Sequence, residues 1–168
     1  LILVDAVSQL LEKRVLNIEV LFFGPDQNKL LKEKIEKSIR QKNLQNIIKF
    51  YGSTKKMNLI YALSDIVISS STDPEAFGRV SIEAQAMGKL IIASAHGGSQ
   101  ETILEGKTGY LYSPKNPFEL MEKISSAIDQ KTYSSNEMSA SAIEHIKSNY
   151  GKDKMCKKTL EFYQEIIG

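Results

Sequence analysis

The sequence predicts an α/β fold, a Rossmann-like doubly wound parallel sheet, and three observations carry that prediction. Short apolar runs alternate with amphipathic stretches along the chain, the pattern of βαβ crossovers. The apolar runs lack strict alternation, as expected of strands covered on both faces. Each of the first four runs is followed by Gly, Pro or Ser, residues that end strands and open loops.

The elements follow in order. Residues 1–14 have helical spacing, with Leu3, Ala6, Val7, Leu10 and Leu11 on one stripe. Residues 17–23 read as a buried strand closed by Gly24-Pro25. A charged helix is expected from Asp26 to Lys42, with Leu30, Leu31, Ile35 and Ile39 facing inward. Residues 47–51 are a second strand ended by Gly52, and residues 55–63 a short helix. Residues 65–69 are a third strand, followed by the polar stretch Ser70 to Pro74 and a helix from Gly78 to Met87. Residues 90–93 are a fourth strand, and Gly97-Gly98 opens another short helix. A short strand at 109–112 precedes helices near 117–129, 134–148 and 151–166.

Composition limits the function. A chain of 168 residues fits one domain, and 42% hydrophobic with 25% charged residues describes a globular one. A net charge of +2 argues against a nucleic-acid partner. The single cysteine, Cys156, excludes an internal disulfide, fits a reducing compartment and reads as a packing residue. No Asp-x-Asp and no His cluster occurs at ligand spacing, so neither metal nor cofactor is expected. No Gly-x-Gly-x-x-Gly follows a strand, which disfavours a dinucleotide dehydrogenase. The opening Leu1-Ile2-Leu3-Val4 is neither a signal peptide nor a spanning helix, and reads as a helix that has lost what preceded it.

Ligands of such sheets bind at the carboxyl ends of the strands. That selects the loops at 24–26, 52–54, 69–78 and 94–99. In the third loop, a strand feeds a polar segment and Gly78 stands near a helix start. A helix N-terminus offers unpaired N–H groups and the positive end of a dipole, a natural phosphate site. Glu75 precedes that helix. Glu83 lies five residues beyond Gly78, roughly 7.5 Å along the axis at about 1.5 Å per residue. Paired hydroxyls suit a carboxylate acceptor, so the arrangement suits ribose, diphosphate and sugar in series. A plainer alternative stands beside each. Glu75 reads equally as a first-turn acid favouring the dipole, and Glu83 as half of an i, i+4 surface pair with Arg79.

The segment Glu75-Ala76-Phe77-Gly78, then Glu83-Ala84 and Ala86-Met87-Gly88, resembles the signature of retaining glycosyltransferases of the GT-B fold, glycosyltransferase family 4 (group 1). Downstream, Ile91-Ile92-Ala93-Ser94, Gly97-Gly98 and Glu101 are similar to the family's next strand and Gly-Gly loop. Phe50-Tyr51-Gly52 and Tyr61 to Ser69 upstream, and Gly106 with Thr108 to Leu111 beyond, extend the likeness over about residues 15–130. The resemblance implies that all 168 residues form one nucleotide-sugar-binding domain, the C-terminal half of such an enzyme without its N-terminal acceptor domain. It implies Glu75 beside the transferred sugar as the catalytic group, and Glu83 on the ribose. Backbone N–H groups of Phe77, Gly78, Arg79 and Val80 would hold the diphosphate. Gly97 and Gly98 would let the backbone approach the sugar, and Tyr51, Gly52 and Ser53 would lie near the base.

Two departures stand out. Leu90 occupies a position where the family has Pro. The family's basic Arg and Lys before the domain's first helix have no counterpart, because the chain opens inside that helix. The stripe Cys156, Leu160, Tyr163 and Ile167 reads either as an ordinary core helix or as a face packing on the absent domain. His96 reads either as a donor contact or as a solvated loop histidine, and His145 as structural.

The expected reaction is transfer of a sugar from a nucleoside diphosphate sugar to a hydroxyl, with retention. Frequent Lys, Ile and Asn hint at an AT-rich bacterial genome, for which the resemblance implies lipopolysaccharide or other envelope polysaccharide synthesis. The expected partners are the donor and a glycan or lipid-linked acceptor held by the other domain. The expected place is the cytoplasm, with room for peripheral association at the inner membrane. A nucleotide-sugar epimerase of the same fold, and a donor-binding module without catalysis, are the rival readings.

Overall fold

The computed structural model describes residues 1–25, 28–129 and 136–167. In chain order the elements are α1 (Ile2–Lys13), β1 (Val20–Phe23), α2 (Lys29–Gln41), β2 (Ile48–Tyr51), α3 (Met57–Leu63), β3 (Ile66–Ser69) and α4 (Arg79–Ala86). There follow β4 (Leu90–Ser94), α5 (Gly98–Thr102), β5 (Tyr110–Tyr112), α6 (Pro117–Asp129), α7 (Asn136–Tyr150) and α8 (Lys152–Ile167). All strand pairings are parallel, so the α/β class is as expected. The ladder is divided in two, however: β1 pairs with β2, and β3-β4-β5 form a second sheet. The expected strand over 17–23 begins only at Val20. Asp26 and Gln27, at the expected start of α2, and residues 134–135 of the expected seventh helix lie outside the described residues.

The strand β4 runs through the centre of the molecule. All five of its residues are buried, and their side chains alternate between two cores, as the period of two requires. Leu90 and Ile92 join a cluster with Val4, Val7 and Leu10 of α1 and Leu120, Met121 and Ile124 of α6. Ile91 and Ala93 face the opposite way, toward Tyr61 of α3, Ala84 of α4 and Ile103. Helices therefore cover this sheet on both faces. Fully burying one aliphatic side chain is worth about 1.5–3 kcal/mol, so the α1–β4–α6 cluster is the main stabilising unit.

The first sheet differs. Val20 and Phe22 of β1 and Ile48 and Phe50 of β2 pack inward, while Leu21, Lys49 and Tyr51 are exposed. The expectation of strands covered on both faces thus fails for β1 and β2. The helix α3 has seven residues and joins the core beneath β3 and β4, leaving the far face of β1 and β2 open. The expected stripe of α2 is corrected for the same reason. Leu30 and Leu31 are exposed, Ile35 is half-buried, and only Ile39 is buried, because a two-stranded sheet is too narrow to receive the whole stripe.

Candidate functional site

The parallel strands β3 and β4 deliver the loops at 70–78 and 95–98 to the same edge. Two glycines make their contact possible. A Cβ on Gly97 would stand 2.9 Å from the Glu75 backbone nitrogen, and one on Gly98 2.7 Å from Phe77 Cα, distances that real Cβ atoms do not reach. The Gly98 N–H donates to the Glu75 carbonyl at 2.7 Å, which fastens the two loops together. The glycines are thus used against the Glu75–Phe77 backbone itself.

Gly78 turns the chain into α4 with φ 69°, in the left-handed region that favours glycine. No side chain caps this helix, and its first backbone bond runs from Ile82 N–H to the Gly78 carbonyl. Its leading N–H groups have no protein acceptor among the described residues, which leaves the dipole's positive end available.

Two carboxylates lie along this feature. Glu75, half-buried, accepts a hydrogen bond from the Ser71 hydroxyl. Glu83 accepts from the Tyr61 hydroxyl at 3.0 Å on Oε2 and from Arg79 Nη2 at 3.0 Å on Oε1. The surface pair with Arg79 therefore exists, and Glu83 has a second, buried partner as well. Burial, and next the bond to Glu83, push the Tyr61 hydroxyl well above the usual phenol range, so it stays a donor. His96 is half-buried rather than solvated, with Nε2 against the Ser71 carbonyl at 3.1 Å.

A buried polar belt holds α4 against α5. Gln85, fully buried, donates to the carbonyls of Ser81 and Thr102 at 3.0 and 2.9 Å. The Thr102 hydroxyl donates to the Gly98 carbonyl at 2.8 Å. Phe77 and Tyr150 of α7 meet edge to face at 6.2 Å, and the Tyr150 hydroxyl donates to the Glu101 carbonyl. These contacts fix the loop from behind.

The structure brings together Glu75, Phe77, Gly78, Gly97 and Gly98, with Arg79, Val80 and Glu83 on the first turns of α4. Tyr51 closes the carboxyl end of β2, and Gly52 and Ser53 follow it. Tyr51 stacks on Phe23 at 5.2 Å and has no bond to the Glu75–Gly98 cluster. Sequence reasoning missed Ser71 and Tyr61. Tyr61 had a signal, an aromatic with a polar tip inside the apolar run Leu59 to Leu63. Among the described residues no group of three or more His, Cys, Asp and Glu could hold a metal ion, and no helix is long and apolar enough to cross a membrane.

The family model described as "Glycosyl transferases group 1" matches residues 2–148. The chain belongs to this family. It is similar to the lipopolysaccharide 1,2-N-acetylglucosaminetransferase of Salmonella typhimurium, at 33% identity over 141 residues, covering 78% of this chain and 36% of that protein. Among solved structures it resembles a glycosyltransferase from Rickettsia africae, with TM-score 0.89 and 34% identity over 99% of this chain and 44% of that one. The HepE protein of Anabaena, solved in complex with UDP, superposes with TM-score 0.89 and 25% identity over 98% of this chain and 44% of its own. The chain therefore spans about two fifths of the length of such group 1 relatives. Its fold is that of their C-terminal, Rossmann-like GT-B half, as the sequence resemblance implied.

Proposed function

We propose that this domain holds the donor of a glycosyltransferase that moves a sugar from a nucleoside diphosphate sugar to a hydroxyl with retention. The observation that carries this reading is the pair Glu75 and Glu83 on either side of an uncapped helix start, backed by Gly97-Gly98. The diphosphate takes the N–H groups of Phe77 to Val80, Glu83 the ribose hydroxyls and Glu75 the hydroxyls of the transferred sugar. Catalysis then consists of positioning and of stabilising the departing diphosphate, without a metal or other cofactor. The solved complexes of HepE with UDP and UDP-glucose support a nucleotide-sugar donor. The lipopolysaccharide acetylglucosaminyl transfer named for the Salmonella relative supports a role in bacterial envelope polysaccharide synthesis. In this reading the acceptor, a glycan or lipid-linked hydroxyl, is held by a further domain. The enzyme works in the cytoplasm, peripherally at the inner membrane when its acceptor is a lipid.

Calorimetric titration with UDP, GDP and ADP tests the donor site. One diphosphate should bind, and Glu83→Ala should weaken it by about tenfold or more, the loss expected for hydrogen bonds to a charged group. If the whole protein binds none of the three, the reading is wrong. Retention is tested separately, by the anomeric configuration of the product in NMR.

A further inference from the structure

We propose that Tyr61 is a positioning residue that locks the Glu83 carboxylate in the orientation needed to receive a vicinal diol. The inference rests on the donor reading above and adds to it a residue from a different helix.

The argument starts from the partners of Glu83. A carboxylate has about four lone-pair positions. Arg79 takes one on Oε1 and Tyr61 takes one on Oε2, each at 3.0 Å. Adjacent hydroxyls of a ribose can donate one hydrogen to each remaining site. The two protein partners are not equivalent. Arg79 is 82% exposed and sits one turn away on the same helix, so solvent screens it and its long side chain is free to move. Tyr61 is 4% exposed, and its ring is packed with Val67, Ala84 and Ile91 beneath the sheet. Its hydroxyl is a fixed point, set 22 residues away in sequence from the carboxylate it meets. Glu83 itself is 36% exposed, so one face of the carboxylate stays open to a ligand. A half-exposed glutamate without the Tyr61 bond would sample several rotamers, and a diol would have to order it on binding.

Tyr61 does not touch the ligand in this arrangement. Its effect should appear only when both ribose hydroxyls are present. The test compares UDP, GDP and ADP with their 2′-deoxy forms, by calorimetry on the whole protein. The wild-type protein should prefer the ribonucleotide by about tenfold or more, because the deoxy form leaves a charged acceptor unpaired. Tyr61→Phe keeps the ring and removes the hydroxyl. It should shrink that preference to about threefold or less while leaving the 2′-deoxy affinity within about twofold. Glu83→Gln should lower the preference too, and adding Tyr61→Phe to it should have no further effect.

Other results are decisive in the opposite direction. If Tyr61→Phe keeps the full preference while Glu83→Gln loses it, the role of Glu83 stands and that of Tyr61 is overturned. Equal weakening of both nucleotides by Tyr61→Phe marks a purely structural residue. If the wild-type protein shows no preference, or binds no nucleotide, the donor reading fails and this inference falls with it. Should Tyr61→Phe not fold, a fluorinated tyrosine at position 61 keeps the packing and ionises at lower pH. The preference should then be lost at lower pH than in the wild-type protein, and an unchanged pH profile overturns the proposal.

Discussion

Glu75 and Gly98 are joined by one backbone hydrogen bond, yet substitutions at the two should have opposite consequences. That bond uses the Glu75 carbonyl, so Glu75→Gln leaves it intact. In the whole enzyme Glu75→Gln should cut turnover about a hundredfold or more, as loss of one preorganised group at a transition state does. Its melting temperature should move by less than about 3 °C. Near-normal turnover would remove Glu75 from the reacting centre. Gly98→Ala should do the reverse in the isolated chain. Its Cβ would meet Phe77 Cα and carbonyl at 2.7 and 2.6 Å, both backbone atoms that cannot yield. A destabilisation of about 1–3 kcal/mol is expected from such overpacking, read from the denaturant midpoint. Sequence reasoning grouped Glu75, Glu83 and the glycines because they lie in one local series. It missed Tyr61 and Ser71 because a hydrogen-bond partner is chosen in three dimensions. Cys156 does not pack within this chain for a related reason: helical spacing marks a stripe but not what covers it, and the thiol is exposed.

Among the described residues, those at the start of α6 build a complete helix N-terminus. Asn116 Oδ1 accepts the Glu119 N–H at 3.1 Å, Pro117 takes the first helical position, and Glu119 Oε2 accepts the Ser113 N–H at 2.9 Å. This is a capping arrangement with proline where its missing N–H does no harm. Asn116→Ala should destabilise the chain by about 1 kcal/mol, measured by denaturant unfolding. Hydrogen bonds from Ser113 hold the Glu119 carboxyl below the usual carboxylate range. A depressed carboxyl stabilises the fold above its unfolded value, and that contribution disappears as pH falls through the folded value. Glu119→Gln should therefore be destabilising at neutral pH and indistinguishable from wild type well below the carboxylate range, which pH-dependent melting would show. At this scale the sequence was most readable where burial is complete. A continuous apolar run marked β4, whereas α2 has an amphipathic pattern whose leading residues find only a two-stranded sheet.

The molecule as a whole is stabilised well before its last helix. The two cores are built from elements up to α7, whereas α8 has no buried residue. Met155, Leu160, Phe162, Tyr163, Ile166 and Ile167 are all more than half exposed. The reading of this helix as an ordinary core element is therefore overturned, and the other reading, a face that packs on a further domain, is the one we propose. The amphipathic pattern was plain in the sequence, but a pattern cannot say whether its partner lies in the same domain. Because α8 contributes no buried residue here, its removal should cost little. Deleting residues 152–168 should change the unfolding free energy by less than about 1 kcal/mol, since α8 has no buried residue and meets chiefly α7. Nucleotide affinity should be unchanged as well, because the Glu75–Glu83 site takes its support from α3, α5 and α7. The deletion should instead reduce self-association at high concentration, by removing an apolar face of the kind that drives it. Sedimentation of the two forms would measure this. A large loss of stability on deletion would instead mean that α8 belongs to this domain's own core, and the proposal that it docks elsewhere would be withdrawn.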